Sequence, residues 1–378
     1  MDRTLQALFA LLQAGLWGRY DDAAASVFPL SAEEWERVFI LARQQTVTGI
    51  AFRGLDFLPE ESAPPMVVAA KWMAHADRIE QSNRIMNGTV AKLYGHFASA
   101  GVEAVLQKGQ GIAAMYPEPL LRECGDIDLY FPGHDGVSDP LAGIPGAVRK
   151  RQPDNSWSYL VDGIVVEHHA DLVDIQSSRA KRYVKRLIEE KGFEKVVTGN
   201  GVEVMVPAPE VNLLLLSSHI LKHAFGVGIG LRQFCDYAVA RRYYEGRVNE
   251  EEMREIWKKT GLEKWQWLLE EFIGRDNEDF QNDKCHSEQS SRSEQSPCHS
   301  ERSEESFGKK KTDVLLDIVL KGGNFGVYST DRENASHARW VRKVQTFRSL
   351  AGNVRFAFRY ALREWFWTIV QLLGGQIR

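Results

Sequence analysis

The sequence predicts an α+β protein, a small mixed sheet with helical units before and after it. Three observations carry that expectation. Leu5, Leu8, Phe9, Leu11 and Leu12 recur at helical spacing near the start of the chain. From about residue 99 the pattern changes to short β-prone runs: Val102 to Leu106, Gly125 to Phe131, Ser156 to Val161 and Ile164 to His168. Beyond Pro207 and Pro209 helical spacing returns over Glu210 to His223 and Leu231 to Tyr244, divided by Gly226, Gly228 and Gly230.

These shifts suggest a helical unit over residues 1–98, a sheet-bearing core over 99–206 and a second helical unit over 207–378. Ser31 followed three residues later by Glu34 is a capping-box signature, so a helix carrying Trp35 is expected after it. Met86 to Ala98 reads as the helix that leads into the core. Asp162-Gly163 between two β-prone runs is a hairpin signal.

Residues 276–311 differ in kind. Cys285-His286-Ser287-Glu288 recurs as Cys298-His299-Ser300-Glu301, among Ser, Glu, Gln and Arg and with few aromatics. Such a segment buries too little apolar surface to offset its ordering entropy, so a disordered insertion is expected rather than a zinc site. The last stretch, 339–378, holds eight Lys and Arg against Glu364 alone, with Trp365-Phe366-Trp367 among them. It reads as an amphipathic tail that packs on its own unit, with weak contact to an anionic membrane surface as the alternative.

Composition sets outer bounds. Of 378 residues, 44% are hydrophobic and 26% charged, as in ordinary globular proteins. A net charge of −4 exerts no global pull toward nucleic acid. Cys124, Cys235, Cys285 and Cys298 show no disulfide framework, and no run reaches the roughly 18 apolar residues that span a bilayer. Asp2 and Arg3 precede an amphipathic run rather than a signal peptide's apolar core, so a cytoplasmic location is expected, with peripheral membrane contact as the variant.

The chemistry-bearing residues cluster in the core. Asp126 and Asp128 lie two apart in a β-prone run, so their side chains share a face. Two such carboxylates repel each other unless a cation lies between them, an arrangement suited to Mg²⁺ in phosphoryl or nucleotidyl transfer. On that reasoning, neutralising one of them, as in Asp128→Asn, relieves repulsion and leaves stability intact. Upstream, Lys108-Gly109-Gln110-Gly111 ends an apolar run, and a lysine with flanking glycines suits a phosphate. Glu167, on the second arm of the predicted hairpin, offers a third carboxylate, with His169 on the same face. Arg122 is either a surface charge, a partner of those carboxylates or a bidentate phosphate ligand. His168 reads as an ordinary strand residue, and His219 and His223, four apart on a helix, as a packed pair.

Gly109-Gln110, Asp126-Ile127-Asp128 and Glu167 together resemble the DNA polymerase beta-type nucleotidyltransferase pattern. More closely, Leu106-Gln107-Lys108-Gly109, Tyr116-Pro117, Arg122 and Gly125 to Asp128 resemble the bacterial uncharacterised nucleotidyltransferase family, from about Glu34 to about Glu245. The Lys-Gly form is also similar to nucleotidyltransferase-type toxins of toxin–antitoxin systems. The resemblance implies transfer of a nucleoside monophosphate from a nucleoside triphosphate to an acceptor: a small molecule, a protein or tRNA. It implies Mg²⁺ (or Mn²⁺) held by Asp126, Asp128 and Glu167, with these three as the catalytic carboxylates. It assigns triphosphate binding to Lys108, Gly109, Gln110, Gly111 and Arg122. Two positions depart from the pattern: Gln110 stands where the superfamily has glycine or serine, and residue 167 is Glu rather than Asp. The Gln110 departure is the best support for the rival reading, a non-catalytic nucleotide-binding or regulatory protein of the same fold.

Overall fold

The computed structural model describes residues 2–20, 25–133, 141, 143–144, 146–151, 157–175, 177–225, 228–274 and 311–320. The chain divides into two compact units. One comprises Met1–Asp174, Val184–Leu216 and Cys235–Asn249; the other comprises Ile175–Tyr183, Ser217–Phe234 and Glu250–Arg378.

The first unit begins with helices α1 (Arg3–Trp17), α2 (Ala32–Gln44), α3 (Thr48–Leu55) and the long α4 (Met66–Ala100). The capping box forms as its spacing predicts: the Glu34 N–H donates to the Ser31 hydroxyl, and the Ser31 N–H to the Glu34 carboxylate. Helices α1 and α3 meet backbone to backbone. A Cβ on Gly15 would fall 2.0 Å from the Ile50 carbonyl oxygen, and one on Gly54 2.2 Å from that of Leu11, so only glycine permits the contact.

One sheet of seven strands follows: β1 (Val105–Leu106), β2 (Asp126–Tyr130), β3 (Val148–Arg151), β4 (Trp157–Val161), β5 (Ile164–His168), β6 (Phe193–Val197) and β7 (Glu203–Pro207). Their spatial order is β3-β4-β5-β2-β1-β7-β6. Strands β2 and β5 are parallel, as are β1 and β7; the other neighbours are antiparallel. The sheet is therefore mixed and the fold α+β, as the sequence predicts. The β4–β5 hairpin turns at Asp162 and Gly163, both with positive φ (52° and 82°), and pairs Val161 with Ile164.

Strand alternation decides what each face does. Ile127, Leu129 and Phe131 join Leu106, Val166, Val204 and Val206 against Met86, Val90, Leu93 and Phe97 of α4. Phe97 meets Phe131 edge to face at 5.2 Å. Each such side chain contributes roughly 1.5–3 kcal/mol of burial, which fixes the register of β2. His168 lies on this core face, its ring 4.9 Å from that of Phe131. With the odd residues of β2 held inward, Asp126 and Asp128 must point from the opposite face.

A short helix α5 (Gln110–Ala113) and a 3-10 turn (Pro119–Leu121) connect β1 to β2. The helix α6 (Ser178–Lys191) links β5 to β6. Helices α7 (Pro209–Phe225), α8 (Leu231–Tyr243), α9 (Glu250–Thr260), α10 (Glu263–Gly274) and α11 (311–320) complete the described chain. In the second unit, Ser217 ties α7 to α10: its hydroxyl donates to Gln266 Oε1 at 2.9 Å, and its carbonyl accepts from Trp265 Nε1 at 3.0 Å. His219 and His223 pack against each other with their rings tilted by 58° and centroids 4.3 Å apart. Among the described residues no helix is long and apolar enough to cross a membrane. Residues 276–310 of the expected insertion, with Cys285 and Cys298, and the basic tail 339–378 lie outside the described residues.

Candidate metal and nucleotide site

The site is built on β2 and its two neighbours. In the parallel β2–β5 ladder Asp128 is paired with Glu167, and Asp126 with Val165. The chain leaves β5 with the His169 N–H bonded to the Leu129 carbonyl at 2.9 Å, which extends the ladder by one residue. Glu167 and His169, two apart, thus face the same side as Asp128. Asp128, Glu167 and His169 each bring a potential ligand atom within 4.8 Å of the others. Asp126 stands at the exposed start of β2, outside that close group, though its charge is felt at Glu167.

Asp128 is almost fully buried, at 6% exposure. Lys108 Nζ lies 2.9 Å from its Oδ2, and His169 Nε2–H donates to its Oδ1 at 2.6 Å. Burial alone would raise this carboxyl's pKa, but the Lys108 charge and the His169 hydrogen bond outweigh it and hold it far below the usual carboxylate range. Glu167 moves the other way. Burial first, then the nearby charge of Asp128, pushes its pKa up. Asp128 thus carries a counter-charge from within the chain, the Lys108 ammonium. This corrects the expectation for Asp128→Asn: the substitution removes a paired charge and leaves Lys108 without its partner, rather than relieving repulsion.

Gly109 makes the turn that places Lys108. Its φ of 53° and ψ of −120° match the first central position of a type II′ turn, and a Cβ there would stand 3.3 Å from the Asp126 carbonyl oxygen. Gln110 and Gly111 do something else. The Gln110 side chain is buried, donating to Asn83 and accepting from Cys124 Sγ at 3.0 Å. Gly111 closes the turn through its N–H on the Lys108 carbonyl at 3.0 Å, and its α-carbon packs against Val206.

Arg122 is buried rather than turned toward a ligand. Its Nε and Nη2 donate to the two oxygens of Asp236 on α8, at 2.9 and 2.5 Å. The Tyr116 hydroxyl donates to the same Asp236 at 2.7 Å. The Arg122 carbonyl accepts from Asn83 at 2.9 Å, and the next residue, Glu123, accepts from the Thr48 N–H at 3.0 Å. These bonds anchor the segment that runs into Asp126. Of the residues singled out in the sequence, the fold brings Lys108, Gly109, Asp128, Glu167 and His169 together with Asp126 at their edge, and directs Gln110, Gly111 and Arg122 inward.

Two residues to which the sequence assigns no role belong to this neighbourhood. Asp236 is 114 residues from Arg122, so no local pattern links them. Gln107 continues β1 by one residue, its N–H donating to the Asp128 carbonyl at 3.0 Å, so it stands directly across from Asp128.

The donor set fits a divalent cation: two carboxylates and an imidazole, with a third carboxylate close by. Carboxylates suit Mg²⁺ and Mn²⁺, and the imidazole weights the set toward Mn²⁺.

A family model described as uncharacterised nucleotidyltransferase matches residues 31–271, more than half of the chain. No curated protein and no solved structure matches it.

Proposed function

The chain belongs to the uncharacterised nucleotidyltransferase family, and from that premise we propose that it is a metal-dependent nucleotidyltransferase of the polymerase beta type. The observation that carries this reading is the direct pairing of Asp128 with Glu167 in the β2–β5 ladder, with His169 and Lys108 both on Asp128.

Asp128, Glu167 and His169 would hold the cation, with Asp126 joining from the exposed end of β2. When bound, the metal supplies positive charge to the reacting phosphates. An acceptor oxygen attacks the α-phosphorus, the bond to the bridging oxygen of the β-phosphate breaks, and pyrophosphate leaves. Glu167, ionised once the cation is bound, would take the acceptor's proton. Lys108 exchanges its Asp128 partner for a phosphate oxygen, close to the Gly109 turn, whose shape only glycine adopts without strain.

A specific observation favours a polyanionic acceptor such as RNA over a small molecule. Helix α6 exposes Arg179, Lys181, Arg182, Lys185 and Arg186, and its first turn carries no acid. Cations in a first turn oppose the helix dipole, and a bound polyanion would offset that. Ala180, Val184 and Leu187 on the apolar side of α6 are buried and so are not presented to a bilayer.

The test is incubation of the full chain with labelled nucleoside triphosphates and Mg²⁺ or Mn²⁺, alone and with cell extract. Label in an RNA fraction supports the whole reading, and label in a protein or small molecule corrects the acceptor. Tight nucleotide binding without transfer supports the binding-only alternative.

A further inference from the structure

We infer that Gln107 is a substrate-contacting residue, whose side-chain amide donates to an anionic oxygen of the bound triphosphate. The inference rests on the nucleotidyltransferase reading and deepens it by adding a neutral donor to the triphosphate's contacts.

Gln107 is 3% exposed, and its Nε2 is buried with no hydrogen-bond partner among the described residues. A buried donor left unmade is destabilising, and native proteins tolerate few of them. The strand register says where this one lies. In the antiparallel β1–β2 ladder Val105 pairs with Tyr130 and Leu106 with Leu129, so the next pair is Gln107 with Asp128. The backbone bond from the Gln107 N–H to the Asp128 carbonyl, 3.0 Å, confirms that register. Residues directly opposite in such a ladder share a face, with Cβ atoms about 5 Å apart. Leu106 faces the α4 core with Leu129. Gln107 therefore stands on the opposite face, beside Asp128 and immediately before Lys108.

The occupants of Asp128 sharpen the assignment. Its Oδ2 faces Lys108 and its Oδ1 faces His169. The Gln107 amide is thus a buried donor beside a carboxylate that Lys108 and His169 hold from other directions, and it makes no bond to that carboxylate among the described residues. A ligand at this point must bring its own acceptor. A phosphoryl oxygen keeps lone pairs free after meeting a cation, and a neutral amide binds it without adding charge or depending on pH. A buried donor held ready for developing negative charge is the arrangement by which active sites stabilise a transition state.

The test uses the full chain and two variants, Gln107→Met and Gln107→Glu, with three readouts: the melting temperature of the free protein, the affinity for Mn²⁺ alone, and the affinity for inorganic tripolyphosphate with Mn²⁺. Gln107→Met deletes the orphan donor at nearly constant volume. It is expected to leave the melting temperature unchanged or higher and Mn²⁺ affinity unchanged, and to weaken tripolyphosphate about tenfold or more. Gln107→Glu sets an acceptor beside Asp128 and Glu167, so tripolyphosphate binding is lost while Mn²⁺ binding is kept or tightened. A lowered melting temperature in Gln107→Met, or wild-type tripolyphosphate affinity in it, overturns the inference and leaves the nucleotidyltransferase reading standing. A wild-type chain that binds neither tripolyphosphate nor any nucleoside triphosphate with Mn²⁺ overturns both.

Discussion

Asp128 and Glu167 are paired in adjacent parallel strands, yet their carboxyls titrate in opposite directions. Burial acts to raise both, and Lys108 and His169 reverse it only at Asp128. Two like groups are thereby made different: one stays ionised and fixed, the other can exchange a proton. The difference comes from which carboxylate the Lys108 turn reaches.

Asp128→Asn is expected to abolish transfer and to destabilise the free protein. Breaking a largely buried ion pair by removing one partner costs roughly 3–5 kcal/mol, and the part of Lys108 that stays accessible lowers that figure. Denaturant unfolding of wild type and variant, each without metal, checks it. A variant as stable as wild type would mean that Lys108 does not hold Asp128 in solution.

The depressed Asp128 pKa also has a sign in pH. Its unfolded value is about 4, and the folded value is lower. The pair's stabilisation is therefore present above about pH 4 and is lost as pH falls toward the folded value. Glu167 has the reverse shift, so cation binding, which needs it ionised, is expected to strengthen as pH rises through its elevated pKa. Mn²⁺ titrations between about pH 4 and pH 8 should show a step that Glu167→Gln removes. A Glu167→Gln variant with the same pH profile as wild type would assign the proton to another group.

Gly109→Ala places a side chain at φ 53° and ψ −120° and against the Asp126 carbonyl. Such a conformation costs a non-glycine residue roughly 1–3 kcal/mol. The relief available is movement of the turn, which carries Lys108 away from Asp128. Lower stability together with weaker tripolyphosphate binding is expected, measured by urea unfolding and calorimetry. Loss of stability with binding intact would reduce Gly109 to a packing role.

What the sequence discloses about this site depends on range. Asp126, Asp128 and Glu167 are legible because strand alternation and a two-residue turn act over a few residues, and the Asp162-Gly163 hairpin forms as its composition predicts. Gln107 is not legible, because its significance lies in a register between β1, two residues long, and a strand about twenty residues later. Arg122 looks like a phosphate ligand until the fold brings Asp236 to it. Gln110 sits in a ligand-like loop, but Asn83 of α4 and Cys124 draw its side chain inward. Local chemistry identifies the carboxylates; tertiary packing decides which neighbours remain available to a substrate.

Arg122→Met tests that division of labour. The guanidinium is buried on Asp236, so its removal strands a carboxylate that Tyr116 alone cannot satisfy. A loss of roughly 3–5 kcal/mol is expected. The double variant Arg122→Met/Asp236→Leu removes both charges and should lie well above the sum of the two single losses. Where the double variant folds, its tripolyphosphate affinity should be close to wild type. A large affinity loss at restored stability would return Arg122 to the phosphates.

The last prediction concerns the acceptor. Arg179, Arg182 and Arg186 recur at spacings of three and four on the exposed side of α6, so they form one stripe. If a polyanion binds there, each neutralised contact removes one released counterion. Replacing the three with Gln should lower the slope of log affinity against log salt for single-stranded RNA by about 2. The replaced side chains are exposed, and removing a cation from the first turn relieves the helix dipole by roughly 0.3–1 kcal/mol. The melting temperature should therefore hold or rise while RNA affinity falls. Filter binding across a salt series, with a melting curve for each protein, measures both. Unchanged RNA affinity and slope in the triple variant would remove α6 from the acceptor's path, leaving a small molecule or a protein as the group that Glu167 deprotonates.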